Sequence, residues 1–247
     1  MAEPVPPGVA VEVDTWRPVE VADVDGWQLG FSGGFTSRAN SVVPLAEPPD
    51  LDAAIRRVEA FYSHRGVPAR FRVGREVLPV GLDGVLAARG YRLVATTWVL
   101  ALALPAQAEP SAASIEVVYE VADEPDDDWL SGWLDVKASG TVDPDLARAV
   151  VTGSAAGYLT TRDDDGVVGV IRAGYSGDWV GLSCLMVAQR ARRRGLARAL
   201  TLAAMEIAAE RGARRAFLQV EADNHAALAL YHRLGFADVD TYNYRER

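Results

Sequence analysis

From Val187 to Ala197 the chain reads Val-Ala-Gln-Arg-Ala-Arg-Arg-Arg-Gly-Leu-Ala, a cluster of guanidinium groups around two small residues, Gly195 and Ala197. The chemistry such a stretch can do is to hold a polyanion. Small residues let a ligand reach the backbone, and the first N–H groups of a helix, with its dipole, favour negative charge. The arrangement has the outline of a pyrophosphate site. Other reactive residue types lack a partner pattern. His64, His225 and His232 have no metal-like spacing, so no metal is expected. Cys184 lies in an apolar run and reads as packing. Ser183 has no Gly-x-Ser-x-Gly around it. Asp163 to Asp165 fall in a turn.

Two elements must position the basic turn. Trp179 to Val187 is apolar, partly β-branched and preceded by Ser-Gly-Asp, as expected of a buried strand. Leu196, Leu200, Ala203, Ala204, Ile207 and Ala208 then recur at helical spacing, which predicts a helix over 194–211 closed by Arg211-Gly212.

The 247-residue chain is long enough for one large domain or two small ones, and 49% of it is apolar. No apolar run approaches the ~20 residues that span a bilayer. Nor is there the basic, then apolar, start of a secretory signal; Met1 to Gly8 reads as a tail. With the single cysteine, these features predict a cytoplasmic protein. Net charge is −9, which argues against nucleic-acid or anionic-membrane partners. Between Met186 and Arg215, however, eight arginines face only Glu206 and Glu210. A basic island in an acidic chain suits a small polyanion, although a solvated, arginine-rich helix start would look the same.

Residues 105–114 lack aromatic residues and periodicity and read as a linker. Beyond it the pattern predicts a strand at Ile115 to Val121 and helices at Asp126 to Ala138 and Asp143 to Val151. A hairpin of Gly157 to Thr161 with Val167 to Ala173 follows. After the strand at 179–187 and its helix come strands at Arg215 to Glu221 and Phe236 to Tyr244, with a helix at Asp223 to Leu234 between them. The order β-α-α-β-β-β-α-β-α-β is a mixed α/β domain. A fainter copy precedes it. The helix Leu51 to His64 ends in Arg65-Gly66, as the other ends in Arg211-Gly212. Phe71 and Phe217 follow five residues after each glycine, and Gly90-Tyr91 matches Gly235-Phe236. The expected organisation is therefore 1–104, the linker, and 115–247, with the basic glycine turn only in the second half.

Arg-x-x-Gly-x-Ala at Arg192 to Ala197 and Asn-x-x-Ala-x-x-Leu-Tyr-x-x-x-Gly-Phe at Asn224 to Phe236 resemble the GNAT superfamily of N-acyltransferases. The resemblance covers roughly 114–247 and extends to two-domain bacterial members whose front half is a degenerate copy. It implies a mostly antiparallel sheet flanked by helices, in two tandem GNAT-like domains, with acetyl-CoA as co-substrate. It also implies that Leu185, Met186 and Val187 meet the pantetheine arm and acyl carbonyl from a strand that splays from its neighbour. Arg192, Arg193, Arg194, Gly195, Leu196, Ala197 and Arg198 would wrap the pyrophosphate, and Asn224 would touch pantetheine or substrate. Tyr231 would return a proton to the leaving thiolate. The acceptor implied is a primary amine on a small molecule, amino acid or peptide, and the protein a monomer or homodimer.

The base is less clear from the residues. Gly181 and Gln219 stand where relatives carry glutamates, which leaves Glu221, two residues on along the same strand face. Glu221 reads equally as a surface carboxylate ahead of the Asp223-Asn224 helix cap. The missing glutamates also leave open a non-catalytic acyl-CoA-binding sensor or interaction module. In the first half, Gly26 to Ser41 reads as two strands around Ser-Gly-Gly, with Arg38 and Asn40 inside the second strand. They are either outward polar residues or the lining of an acceptor pocket, where Arg38 could clamp a carboxylate.

Overall fold

The computed structural model describes residues 4–104, 117–137 and 142–247. The expected linker lies outside the described residues. The first half holds α1 (Val9–Asp14), β1 (Glu20–Val24), β2 (Trp27–Phe31), β3 (Val42–Pro44), α2 (Leu51–Ser63), β4 (Arg70–Gly74), α3 (Leu82–Ala88) and β5 (Arg92–Ala103). The second holds β6 (Glu120–Ala122), α4 (Asp127–Lys137), α5 (Pro144–Thr152), β7 (Ala156–Asp163), β8 (Gly166–Ser176), β9 (Trp179–Val187), α6 (Leu196–Glu210), β10 (Arg215–Glu221), α7 (His225–Arg233) and β11 (Ala237–Glu246). The strands at 179–187 and 215–221 have the expected bounds. The strand expected at 115–121 is seen only from Glu120, residues 115 and 116 lying outside the described residues.

All eleven strands join one sheet in the order β1-β2-β3-β4-β11-β5-β10-β9-β8-β7-β6. Pairing is antiparallel except at β3–β4 and β9–β10. The strand that closes each half lies in the other half's sheet. β5 runs antiparallel to β10 from Arg215↔Ala103 to Glu221↔Thr97, while β11 pairs with β4 from Tyr242↔Gly74 to Glu246↔Arg70. The two exchanged strands also pair with each other. The sheet is thus continuous across both halves.

Burial follows the alternation of the strands. Leu100, Leu182, Leu218 and Val220 face α6 and α7, packing on Leu200, Ala204 and Tyr231. Phe71 and Val73 face α2 and α3. The opposite face carries Val99, Phe217, Tyr242 and Tyr244 against α1, then Tyr158, Val170 and Met186 against Trp129 and Trp133 of α4. Helix α6 lies close over β8, where a Cβ on Gly169 would come within 2.7 Å of Leu200.

Arg172, on β8, is fully buried. Its guanidinium donates to the carbonyls of Val151 (2.7 Å) and Thr15 (2.9 Å) and to Ser154 Oγ (2.7 Å). The carbonyls stand near the C-terminal ends of α5 and α1, where the helix dipoles are negative. No carboxylate lies within 4.0 Å of it among the described residues. Carbonyl dipoles and the Trp16 and Tyr158 rings take a counter-ion's place. The contact fastens α1 to the second half. Arg172→Met would leave these carbonyls buried without a donor, so we expect a loss of about 3 kcal/mol in urea unfolding. A loss below about 1 kcal/mol would show that the clamp is dispensable.

Candidate functional site

Pairing between β9 and β10 ends at Leu182↔Leu218, although β9 runs on to Val187 and β10 to Glu221. Each keeps its outer neighbour: β9 stays paired to β8 as far as Val187, and β10 to β5 as far as Glu221. The strands therefore part from one another, and backbone groups along the parting have no ladder. A bulge sits at the opening. Register against β8 jumps between Ser183↔Arg172 and Met186↔Val170, with Cys184 at φ 57°. The wedge so formed is a cleft of about 470 Å³.

Leu185 and Met186 line the cleft. Val187 ends β9, where its carbonyl accepts from Arg192 Nε at 3.1 Å. One short turn of 3-10 helix, Gln189–Ala191, then carries the chain around buried Ala191. Arg193 (φ 62°) and Gly195 (φ 82°) are both left-handed, and Gly195 is the N-cap of α6 without a side-chain cap. Leu196, Ala197 and Arg198 make the first turn of a helix that starts two residues later than expected. Arg192, Arg193 and Arg194 are exposed and form no ion pair among the described residues, whereas Arg190 is spent on Asp163 at 2.8 Å. The first-turn amides of α6 thus have no side-chain cap and lie beside these arginines.

From the other side of the cleft, α7 supplies Asn224 and Tyr231. Asn224 is the N-cap of α7, its Oδ1 accepting from the Ala227 N–H at 3.1 Å. Tyr231 packs edge-on to Phe236, and its hydroxyl makes no hydrogen bond among the described residues. Burial holds the Tyr231 phenol well above its usual range, so it stays protonated at neutral pH. Glu221 stands exposed at the end of β10 and lines the same cleft.

The first half closes the cleft, and here the sequence reading needs correcting. Residues 32–41 form turns, not a strand. Asn40 is buried and does not line the cleft. Its Oδ1 accepts from the Ser32 and Gly34 amides (2.7 and 2.8 Å), and its Nδ2 donates to the Phe35 and Thr36 carbonyls. It is the strut of its own loop. Arg38, by contrast, reaches the cleft, with Cζ 4.3 Å above the Trp16 ring and Nη1 donating to Gln219 Oε1 at 3.1 Å. Gln219 Nε2 in turn donates to Glu12 of α1, which also pairs with Arg72. Burial raises the Glu12 pKa against the opposing pull of Arg72. A side chain at Gly181 would meet Phe217 at 2.8 Å and Thr15 Oγ1 at 2.9 Å. Segments from the first half thus crowd both Gly181 and Gln219. Trp16, Glu12 and Thr15 were absent from the sequence reading, since α1 is only six residues long and its partners lie up to 207 positions away.

Comparison with known proteins fits this architecture. A profile of the family described as "Probable histone acetyltransferase Rv0428c C-terminal" matches residues 10–245. The chain belongs to this family. It is therefore an acetyltransferase of the GNAT superfamily. The uncharacterized N-acetyltransferase YobR of Bacillus subtilis is 24% identical over 233 residues, covering 94% of each chain. A GCN5-related N-acetyltransferase structure from Kribbella flavida superposes with TM-score 0.67 at 17% identity, over 97% of this chain and 96% of that one. A tandem GNAT protein from the clavulanic acid biosynthesis pathway gives 0.61 at 18% identity, over 79% and 69%. Among the described residues of this family member, no helix is long and apolar enough to cross a membrane.

Acetyltransferases of this superfamily use acetyl-CoA, which makes the glycine turn testable. In Gly195→Asp the new carboxylate can cap α6 itself, offsetting the left-handed strain of about 1–2 kcal/mol. We expect the melting temperature to move little and the acetyl-CoA dissociation constant to rise at least about tenfold, measured by calorimetry. Unchanged affinity would mean that the turn holds no phosphate.

Proposed function

We propose that the protein transfers an acetyl group from acetyl-CoA to a primary amine of a small metabolite, amino acid or peptide by direct attack, at one site in the second half. The observation that carries this reading is the cleft between β9 and β10, opening beside an uncapped, arginine-rich helix start. The cofactor's pantetheine arm would run along Leu185, Met186 and Val187 as an added strand. Its pyrophosphate would rest on the amides of Arg193 to Arg198, with the Arg192, Arg193 and Arg194 side chains within reach of phosphate oxygens.

The amine must first lose a proton, to Glu221 directly or through water. Its nitrogen then attacks the thioester carbonyl carbon, the oxyanion is held by a backbone N–H of β9, and the carbon–sulfur bond breaks. The departing thiolate takes the Tyr231 hydroxyl proton, and the surplus proton on the new amide nitrogen passes to the phenolate, so that Tyr231 ends neutral and the products are the amide and the free thiol. Asn224 has its Oδ1 engaged as a helix cap, so Nδ2 is the atom it offers to the cleft. The glycine and glutamine at 181 and 219 favour a second reading, an acyl-CoA-binding sensor without turnover.

Tyr231→Phe decides between them when paired with an assay of thiol release over an amine panel. A transferase of this design keeps its acetyl-CoA affinity within about twofold and loses roughly 10²-fold or more in kcat. Tight acetyl-CoA binding by the wild type, with no thiol released on any amine, would instead establish the sensor.

A further inference from the structure

The wall that the first half adds to the cleft has its own chemistry. Trp16, only 3% exposed, forms part of this wall. Arg38 is the one cation in the cleft lining among the described residues. It is half-buried and forms no ion pair among the described residues.

Its orientation is fixed on two sides. The Trp16 ring carries the guanidinium plane, and Gln219 Oε1 takes one N–H. Gln219 is held oxygen-first because its Nε2 donates to Glu12. Glu12 does not neutralise Arg38, since its carboxylate is committed to Arg72. Four of the five guanidinium donors therefore remain, in a fork that fits a planar oxyanion. One guanidinium charge is present in the lining, and Glu221 is the one carboxylate there among the described residues. That balance suits a monoanion better than a phosphate dianion.

We propose that this wall binds a carboxylate on the acceptor, with Arg38 as the specificity-determining residue. The inference rests on the acetyl-transfer reading above and names its acceptor class: amines that also carry a carboxylate, such as amino acids, ω-amino acids and peptides. Arg38 belongs to the first half and the thioester site to the second, so the acceptor is read by the degenerate copy.

The test uses the full chain, acetyl-CoA and matched sets of acceptors: an amino acid, its carboxamide, and the amine lacking the group altogether. We expect the carboxylate member to lead its carboxamide by at least about tenfold in kcat/KM. Arg38→Gln should erase that ratio, and Arg38→Lys, which keeps the charge but loses the fork, should retain part of it. Acetyl-CoA affinity measured on each variant controls for folding and for the donor site. Equal or better use of carboxamides by the wild type, or a ratio that survives Arg38→Gln, overturns the carboxylate site while leaving acetyl transfer intact. Failure to bind acetyl-CoA, or to release thiol with any amine, removes the transfer reading and this one with it.

Discussion

Strand β9 leaves β10 beyond Leu182, and the unladdered backbone along that parting is the constraint to which much of the molecule answers. Buried amides and carbonyls must pair with something. A sheet that opens in its middle is stable only if each lip is held from behind. β8 holds β9 through the register on either side of the Cys184 bulge, and β5 holds β10 along its whole length. β5 belongs to the other half of the chain. The strand exchange therefore backs the lip of the cleft. β11 makes the reciprocal contact with β4, so the two halves share one hydrogen-bond network rather than meeting at a surface.

The two halves solve the same problem at a helix start in opposite ways. α2, which the sequence pattern pairs with α6, has Asp50 as its N-cap, whose side chain accepts from the Ala53 N–H at 2.9 Å. That carboxylate fills the position an external anion would take and adds negative charge where the dipole is positive. At α6 the cap is Gly195, which has nothing to offer its own amides, and the neighbouring charges are arginines. The start of α2 is capped by its own chain, whereas the start of α6 has no side-chain cap. This accounts for a single proposed donor site without appeal to sequence decay alone.

Much of the donor side was legible because it depends on local patterns. The apolar run at 179–187, the period of α6 and the Arg-x-x-Gly-x-Ala turn all lie within some thirty residues, and periodicity with composition locates them. The acceptor side was not legible, because its contacts are distant in sequence. Arg38 meets Gln219 across 181 positions and Glu12 meets it across 207. Arg38 and Asn40 looked alike as polar residues in a supposed strand. Only the loop's turns reveal that one spends every polar atom on its own backbone while the other extends into the cleft.

The short helix α1 ties these levels together. Its C-cap carbonyl, at Thr15, is held by Arg172 from the floor of the second half, and the next residue is Trp16, on which Arg38 rests. Glu12, one turn earlier, fixes Gln219 on β10 and Arg72 on β4. The Thr15 side chain also takes the space that a glutamate at 181 would need. A helix too short to be stable alone can do this only because buried polar contacts on three strands hold it. In consequence the acceptor wall and the donor turn are built from different parts of the chain and share only the strands β9 and β10. Substitutions in α1 or in residues 32–41 can then alter which amine is accepted while the anion turn at Gly195 stays as it is. On the proposed reading, the first half, which lacks the arginine-rich glycine turn, supplies the surface that selects the acceptor.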